Sequence, residues 1–479
     1  MPSAPSTLPG WAAAALVGGA SAATLVVEIV AIRLLAPFIG LTLEVYTSVI
    51  GVILGAIALG AWIGGAVADR RDPRALLGPV LASGGAATMA SVPLVNVLGR
   101  AVVGGGPAES VLLAAACFLL PGVLLSTVPP LVVKLQLRDL SSTGHVVGRL
   151  SAIGTGGALV GTFVAGFVLL PVWPGSRIVM AVGAALAVVG VALALPRGVA
   201  AAASAVLLLG GVAGPTLSAC DWETRYSCVR LVEDPARHSG RVLWIDTLRH
   251  SYVDLADPAH LEFRYTQGLA VLIDGLAAPG PLRGLHIGGG GFTMPRYLAD
   301  TRPGSTATVV EIDPDLIEIT SERLGGRRIP GTTVVAADGR VAIQQPEAGA
   351  YDLVVGDAFA GLSVPWHLTT RELVTEVHRV LDDDGLYVLN LIDNPPFRFA
   401  AAEVRTLQQV FPHVLLALPS DGARGNALVA ATKVPLPVAD VRTGLEALGF
   451  RPVPPEELAR LLHGSTVLSD DYAPVDHLQ

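Results

Sequence analysis

The feature that most limits how this chain can fold is a row of about seven apolar stretches filling residues 1 to 218. They lie near 10–34, 43–67, 76–99, 109–133, 149–172, 176–195 and 198–217. Each approaches the roughly 20 residues a helix needs to cross a bilayer. In lipid the backbone must satisfy its own hydrogen bonds, which makes helices the only open-ended solution. The stretches are rich in Gly and Ala, as in Gly60-Ala-Trp-Ile-Gly-Gly-Ala66, and small residues let membrane helices approach closely. Composition agrees: 15% of the 479 residues are charged, against roughly 25% in soluble globular chains. The first stretch is too long and too apolar for a cleaved signal peptide, and no basic cluster precedes it. The expectation is an all-α multi-span domain over 1–218, in the cell membrane, with the lipid bilayer as its partner.

Positive charge sets orientation. Arg70, Arg71 and Arg74 follow the second stretch, Lys134, Arg138 and Arg149 the fourth, and Arg197 the sixth; the alternate loops hold little beyond Arg100 and Arg177. The N-terminus is therefore expected in the cytoplasm. With seven spans, everything after residue 218 is extracytoplasmic; one span fewer returns it to the cytoplasm. Cys220 and Cys228 lie just past the last stretch. They are either a small disulfide loop, which persists in oxidising compartments, or two free thiols. Glu28 lies inside the first stretch with Arg33 near its end; an intramembrane carboxylate is a functional candidate, or a partner in an ion pair or helix contact. Gly64-Gly-Ala-Val-Ala-Asp-Arg-Arg71 resembles a cytoplasmic loop of major-facilitator transporters, over that loop alone. The net charge of −8 gives no nucleic-acid footprint.

The remaining chain reads differently. Residues 219–280 begin with short alternating strands, Tyr226–Val232, Arg241–Asp246 and His250–Asp254, separated by turn signals such as Asp234-Pro235. A helix is expected near 259–277. From 281 to 479 apolar runs alternate with helical intervals, at 284–287, 307–312, 333–336, 353–355, 386–391, 413–418 and 427–432. That alternation predicts a doubly wound, Rossmann-like α/β domain with a parallel sheet. The first run feeds Gly288-Gly-Gly-Gly291, where the backbone can come close to a ligand. The second ends at Glu311, placed to accept the hydroxyls of a ribose. Asp338 and Asp357 follow two further strands. One acid after a strand is usually a helix cap; three along one sheet edge point to a nucleoside site.

On these residues the chain from about 219 onward resembles the spermidine synthase (polyamine aminopropyltransferase) family. Within that family it is most like bacterial proteins with a multi-span membrane domain fused in front. The resemblance implies a class I methyltransferase-like fold preceded by a small antiparallel β-domain. It implies that Gly288, Gly289 and Gly290 form the glycine motif, Glu311 holds the ribose, Asp338-Gly339 meets the adenine edge and Asp357 is catalytic. It implies that Tyr265, in Glu-Phe-Arg-Tyr, and Pro365 line the cosubstrate site, with Leu368, Thr369 and Glu372 in the segment that follows. On the amine side the candidates are Tyr226, Asp254 and Asp393. Asp257 and Glu262 join Asp254 in an acidic trio that also reads as a polar turn.

Departures cluster on that side. Gly291 stands where relatives place an amine-contacting aspartate, Ala360 where they place a second acid, and Ser227 and Thr266 replace other polar residues of the pattern. The implied cosubstrate is decarboxylated S-adenosylmethionine, giving methylthioadenosine, with an amine such as putrescine as acceptor. No tightly bound cofactor and no metal is expected, since His250, His260 and His367 have no ligand spacing. A homodimer is the family's habit. Two other functions fit: a methyltransferase using S-adenosylmethionine, and a transporter or sensor that binds a polyamine or nucleoside without chemistry. Asp470-Asp471-Tyr472 either caps the sheet or meets the site.

Overall fold

The computed structural model describes residues 8–39, 43–102, 106–137, 140–195, 220–359, 361 and 364–478. The seventh apolar stretch at 198–217, Arg138, Arg197 and Ala360 lie outside the described residues. The chain divides into two compact units, Met1–Cys228 and Val229–Gln479.

In the first unit the described residues form six helices long and apolar enough to cross a membrane: α1 (Gly10–Ile39), α2 (Glu44–Ala68), α3 (Pro73–Gly99), α4 (Pro107–Gln136), α5 (Thr143–Leu169) and α6 (Gly175–Ala194). Helix α3 starts where the Asp72 side chain accepts the Arg74 amide and Pro73 takes the first helical position, a place that needs no N–H. Small residues set the helix spacing. A Cβ added at Gly190 of α6 would fall 2.2 Å from the Ala82 nitrogen of α3, and one at Gly157 of α5 would fall 2.2 Å from the Gly18 carbonyl oxygen of α1. Only glycine allows backbones this close. At the end of this unit Cys220 and Cys228 are joined by a disulfide, Arg33 donates to the Thr224 carbonyl at 2.6 Å and Ser176 donates to Glu223 at 2.8 Å.

The second unit opens with β1 (Cys228–Asp234), β2 (Arg237–Ile245) and β3 (Leu248–Asp254), paired antiparallel. Helix α7 (Arg264–Leu276) follows, and further on α8 (Thr293–Thr301) and α9 (Pro314–Arg323); Phe263 ahead of α7 is extended, so α7 begins several residues later than the sequence suggests. The main sheet contains β4 (Arg283–Ile287), β5 (Thr306–Glu311), β6 (Thr332–Ala336), β7 (Tyr351–Gly356), β8 (Leu381–Asp393), β9 (His413–Pro419), β10 (Gly425–Thr432) and β11 (Phe450–Pro452). Its order is β11-β9-β10-β8-β7-β4-β5-β6. From β8 to β6 the neighbours are parallel, whereas β10, β9 and β11 add antiparallel. The expected parallel sheet is thus mixed. The reason is length: residues 420–424 alone join β9 to β10, too few for the crossover a parallel pair requires.

Alternation along the strands builds two apolar layers. Val354 of β7 packs with Leu373 and Val377 of α10 (Arg371–Val380) and with Phe399 and Leu407 of α11 (Arg398–Leu407). Leu353 and Val355 face the other way, with Leu269 and Ile273 of α7 and Val441 and Leu445 of α12 (Val438–Ala447).

One buried group breaks the apolar pattern. Glu403 of α11 is 0% exposed and neither carboxyl oxygen has a hydrogen-bond partner among the described residues. It borders a void of about 20 Å³ shared with Thr369 and Asn390, room for one water. Burial holds this carboxyl well above the ordinary glutamate value. A carboxyl raised in the folded state keeps its full stability contribution below the unfolded value and loses it as pH rises. Glu403→Gln is therefore expected to melt higher than the parent at pH 8 and to lose that advantage near pH 4. Each unit of raised pKa is worth about 1.4 kcal/mol. Thermal unfolding of the two proteins across pH checks it; parallel curves contradict it.

Candidate active site

β4 lies between β7 and β5, so the strand order reverses beside it and a crevice opens at the carboxyl ends. Four segments meet there. After β4 the Gly288 amide donates to the Val310 carbonyl (2.9 Å), and after β7 the Asp357 amide donates to the Ile287 carbonyl (3.0 Å). Gly288 has φ +102°, and an added Cβ would sit 2.3 Å from the Asp357 carbonyl oxygen. The glycine turn and the Asp357 turn are thus packed backbone to backbone.

Glu311 ends β5. Its Oε2 accepts the amides of Gly289 (2.9 Å) and Gly290 (3.3 Å), and its Oε1 accepts the Asp313 amide (3.0 Å). The carboxylate is fixed against the glycine turn, with lone pairs left for a diol. Asp338 caps the helical turn Gly339–Ala342 through the Arg340 amide (2.7 Å), and its other oxygen lies 3.1 Å from His367 Nε2. A Cβ at Gly339 would meet Ile287 at 2.6 Å, so that position too is tied to β4. Pro365 leads into the short helix Trp366–Leu368 that carries His367.

Asp357 is held from two sides. Tyr265 of α7 donates its hydroxyl to Oδ2 at 3.3 Å, and Asn390 of β8 donates Nδ2 to Oδ1 at 2.9 Å. The Asn426 amide, from β10, donates to Asn390 Oδ1 at 2.9 Å and so aims the Asn390 nitrogen at Asp357. Burial pushes the Asp357 carboxyl above the ordinary aspartate value, while Asn390, His250 and Tyr265 pull it partly back. Burial, with Asp357 adding to it, holds the Tyr265 hydroxyl protonated. Burial draws His250 below its ordinary value, opposed by Asp357. These groups line a cavity of about 370 Å³ that also includes Arg249, Glu262, Phe263 and Arg264. A raised carboxylate facing a pocket is placed to take a proton.

Other predicted residues are engaged elsewhere. Asp254 is 1% exposed and bonds the Arg237 guanidinium and the amides of Ala256 and Asp257. Burial opposes its ionisation, yet Arg237 and those amides hold it at about 2. Its carboxylate closes a turn and does not face the pocket. Asp393 is 2% exposed and accepts the amides of Asn394 (2.7 Å) and Ala400 (2.8 Å); it anchors the start of α11. Asp257 binds Arg237 at 3.0 Å. Tyr226 belongs to the first unit and is 45% exposed. Asp470 accepts from Arg340 (2.8 Å) and Thr370 (2.6 Å), tying the chain's end to the start of α10. At Gly291 a Cβ would fall 2.9 Å from Ser251 Cβ and 3.0 Å from Val253 Cγ2. The space beside Gly291 is thus filled by β3.

Sequence reasoning missed Asn390, Asn426 and the arginines. An amide inside the apolar run Leu386–Leu391 was the available signal, since a buried amide needs partners.

No protein-family model matches the chain. A polyamine aminopropyltransferase of Vibrio vulnificus is 37% identical over 114 residues, 23% of this chain and 38% of that protein. An N-terminal histidine N-methyltransferase of Emericella nidulans is 30% identical over 114 residues, 23% of this chain and 20% of that protein. Among solved structures, a probable spermidine synthase from Corynebacterium glutamicum is 27% identical, covers 53% of this chain and 96% of that one, and superposes with a TM-score of 0.49. The chain therefore matches well under half the length of the two curated relatives. Polyamine aminopropyltransferases recur among the matches. The chain's α/β unit is thus similar in sequence to spermidine synthases (polyamine aminopropyltransferases).

Proposed function

We propose that the protein is a membrane-bound aminopropyltransferase that moves an aminopropyl group from decarboxylated S-adenosylmethionine to an amine. The observation that carries this is Asp357, buried beside the glycine turn and aimed by Tyr265 and Asn390 into a cavity large enough for a small acceptor. In the proposed step the acceptor nitrogen attacks the carbon next to the sulfonium. The carbon–sulfur bond breaks, sulfur leaves as the neutral thioether of methylthioadenosine, and the new ammonium gives its proton to Asp357. No acid is needed on the leaving side. The residues' remaining task is positioning, with Gly288–Gly290, Glu311 and Asp338 holding the nucleoside. A methyltransferase using S-adenosylmethionine is the second reading, favoured by the match to an N-methyltransferase.

Calorimetry with methylthioadenosine tests the nucleoside half. The parent is expected to bind it, and Glu311→Gln to bind about tenfold more weakly, since a charge-assisted hydrogen bond contributes roughly 1.5–3 kcal/mol. Absence of binding by the parent overturns both enzyme readings.

For the membrane, six long apolar helices, a further apolar stretch at 198–217 and the positive-inside pattern support an extracytoplasmic α/β unit. The disulfide near the exit supports the same side. An impermeant thiol reagent on intact cells is expected to label Cys220 and Cys228 only after an external reductant. Labelling without reductant contradicts the disulfide, and labelling only after lysis contradicts the sidedness.

A further inference from the structure

The Asp357 pocket carries an unusual charge balance for a diamine site. Arg249 and Arg264 both line it. Among the described residues neither guanidinium forms an ion pair. Arg249 lies over the Phe263 ring at 5.2 Å, which keeps it on the pocket wall. The acid it acts on from a distance, Asp234, is already engaged by the Tyr252 hydroxyl (2.8 Å) and the Ala236 amide (2.9 Å).

Opposing charge is scarce. The lining acids are Asp357 and Glu262, and Glu262 lies 3.2 Å from His260. At Gly291 of the glycine turn, Ser251 and Val253 leave no room for a side chain. A diamine would bring a second, protonated amine to a site that also receives a sulfonium and is lined by two arginines. Like charges in a partly desolvated cleft repel. A guanidinium instead presents a fork of donors that matches a carboxylate.

We propose that the mouth of this pocket recognises a carboxylate, and that the acceptor is an ω-amino acid: its amine goes to Asp357 and its carboxylate to Arg249 and Arg264. This rests on the aminopropyl-transfer reading of the site. The same chemistry has one other source, the methionine carboxylate of intact S-adenosylmethionine.

The test compares putrescine with 5-aminopentanoate, which has the same four methylenes and a carboxylate for one amine. The full chain in detergent is supplied with decarboxylated S-adenosylmethionine. The expected result is a kcat/KM at least about tenfold higher for 5-aminopentanoate, the factor that 1.4 kcal/mol supplies. The double variant Arg249→Gln, Arg264→Gln is expected to shift the ratio back toward the diamine, and Arg264→Lys to keep most of the preference. Both arginines are exposed, so the fold tolerates these changes. A ratio that favours putrescine and does not move in the double variant overturns the proposal.

Binding separates the remaining cases. If neither acceptor is turned over but 5-aminopentanoate binds the methylthioadenosine-loaded parent and not the double variant, the carboxylate site stands and the transfer reading falls. If intact S-adenosylmethionine binds more tightly than its decarboxylated form, only in the parent, and 5-aminopentanoate does not bind, the carboxylate is the cosubstrate's and the ω-amino acid acceptor is overturned. Methylthioadenosine binding with no carboxylate held in any arm overturns the assignment while leaving the nucleoside site intact.

Discussion

Asp357→Asn is expected to lower turnover by about a hundred- to ten-thousand-fold, the range that a positioned base contributes, with nucleoside affinity retained. The argument starts from what the substitution keeps. Asn has the same shape, and its oxygen still accepts from the Asn390 amide, which Asn426 aims at it. Its nitrogen then faces Tyr265, whose hydroxyl turns from donor to acceptor. No buried charge is left behind, so the variant folds. On the proposed mechanism, what disappears is the proton acceptor. A base of that kind must be ionised to act, and burial raises the pKa of Asp357 above the ordinary 3.8. Activity is therefore expected to fall as pH drops through that raised value, on a limb lying above pH 3.8. Steady-state kinetics of both proteins over pH, with calorimetry on methylthioadenosine, checks the prediction. Equal turnover removes Asp357 from its role.

The second large effect is expected at Gly288. Ala here meets two obstacles. The backbone has φ +102°, which L side chains adopt only with strain of about 1–3 kcal/mol. The added Cβ would also lie 2.3 Å from the Asp357 carbonyl oxygen, so the two turns must separate. That separation displaces the glycine amides that face Glu311 and the base together, and a misplacement near 1 Å can cost about a hundredfold in rate. Gly288→Ala is expected to weaken nucleoside binding and turnover together by about that factor. Gly280→Ala is the control. It has φ +99° but open space around its Cβ, so it carries the strain without the clash. It is expected to lower the melting temperature and leave binding unchanged. If the two variants behave alike, the backbone packing at Gly288 does not matter for the site.

Much of this was legible in the chain. The apolar stretches and their glycine content announced the helices, and the α/β alternation placed Gly288, Glu311, Asp338 and Asp357 at one sheet edge. Periodicity reports such features because each depends on residues close in sequence. The antiparallel edge was legible too, in the five residues between β9 and β10, but alternation of runs does not carry strand direction. Asp254 and Asp393 misled because an acid near a strand end looks the same whether it faces a ligand or closes a turn. Their partners, Arg237 and the Ala400 amide, are identified only by the fold. Asn390 and Asn426 meet because β8 pairs with β10, with Asn426 opposite Ile392, a register invisible to local patterns. The closure of Gly291 depends on Ser251 and Val253, which approach from β3.

The most direct test of the central claim is the product of a single incubation. The purified full chain is given decarboxylated S-adenosylmethionine and a panel of diamines and ω-amino acids, and the products are identified by mass. Aminopropyl transfer predicts methylthioadenosine and an aminopropylated amine in equal amounts, both lost in Asp357→Asn. S-adenosylhomocysteine with a methylated acceptor from intact S-adenosylmethionine, and no methylthioadenosine from the decarboxylated form, would contradict it.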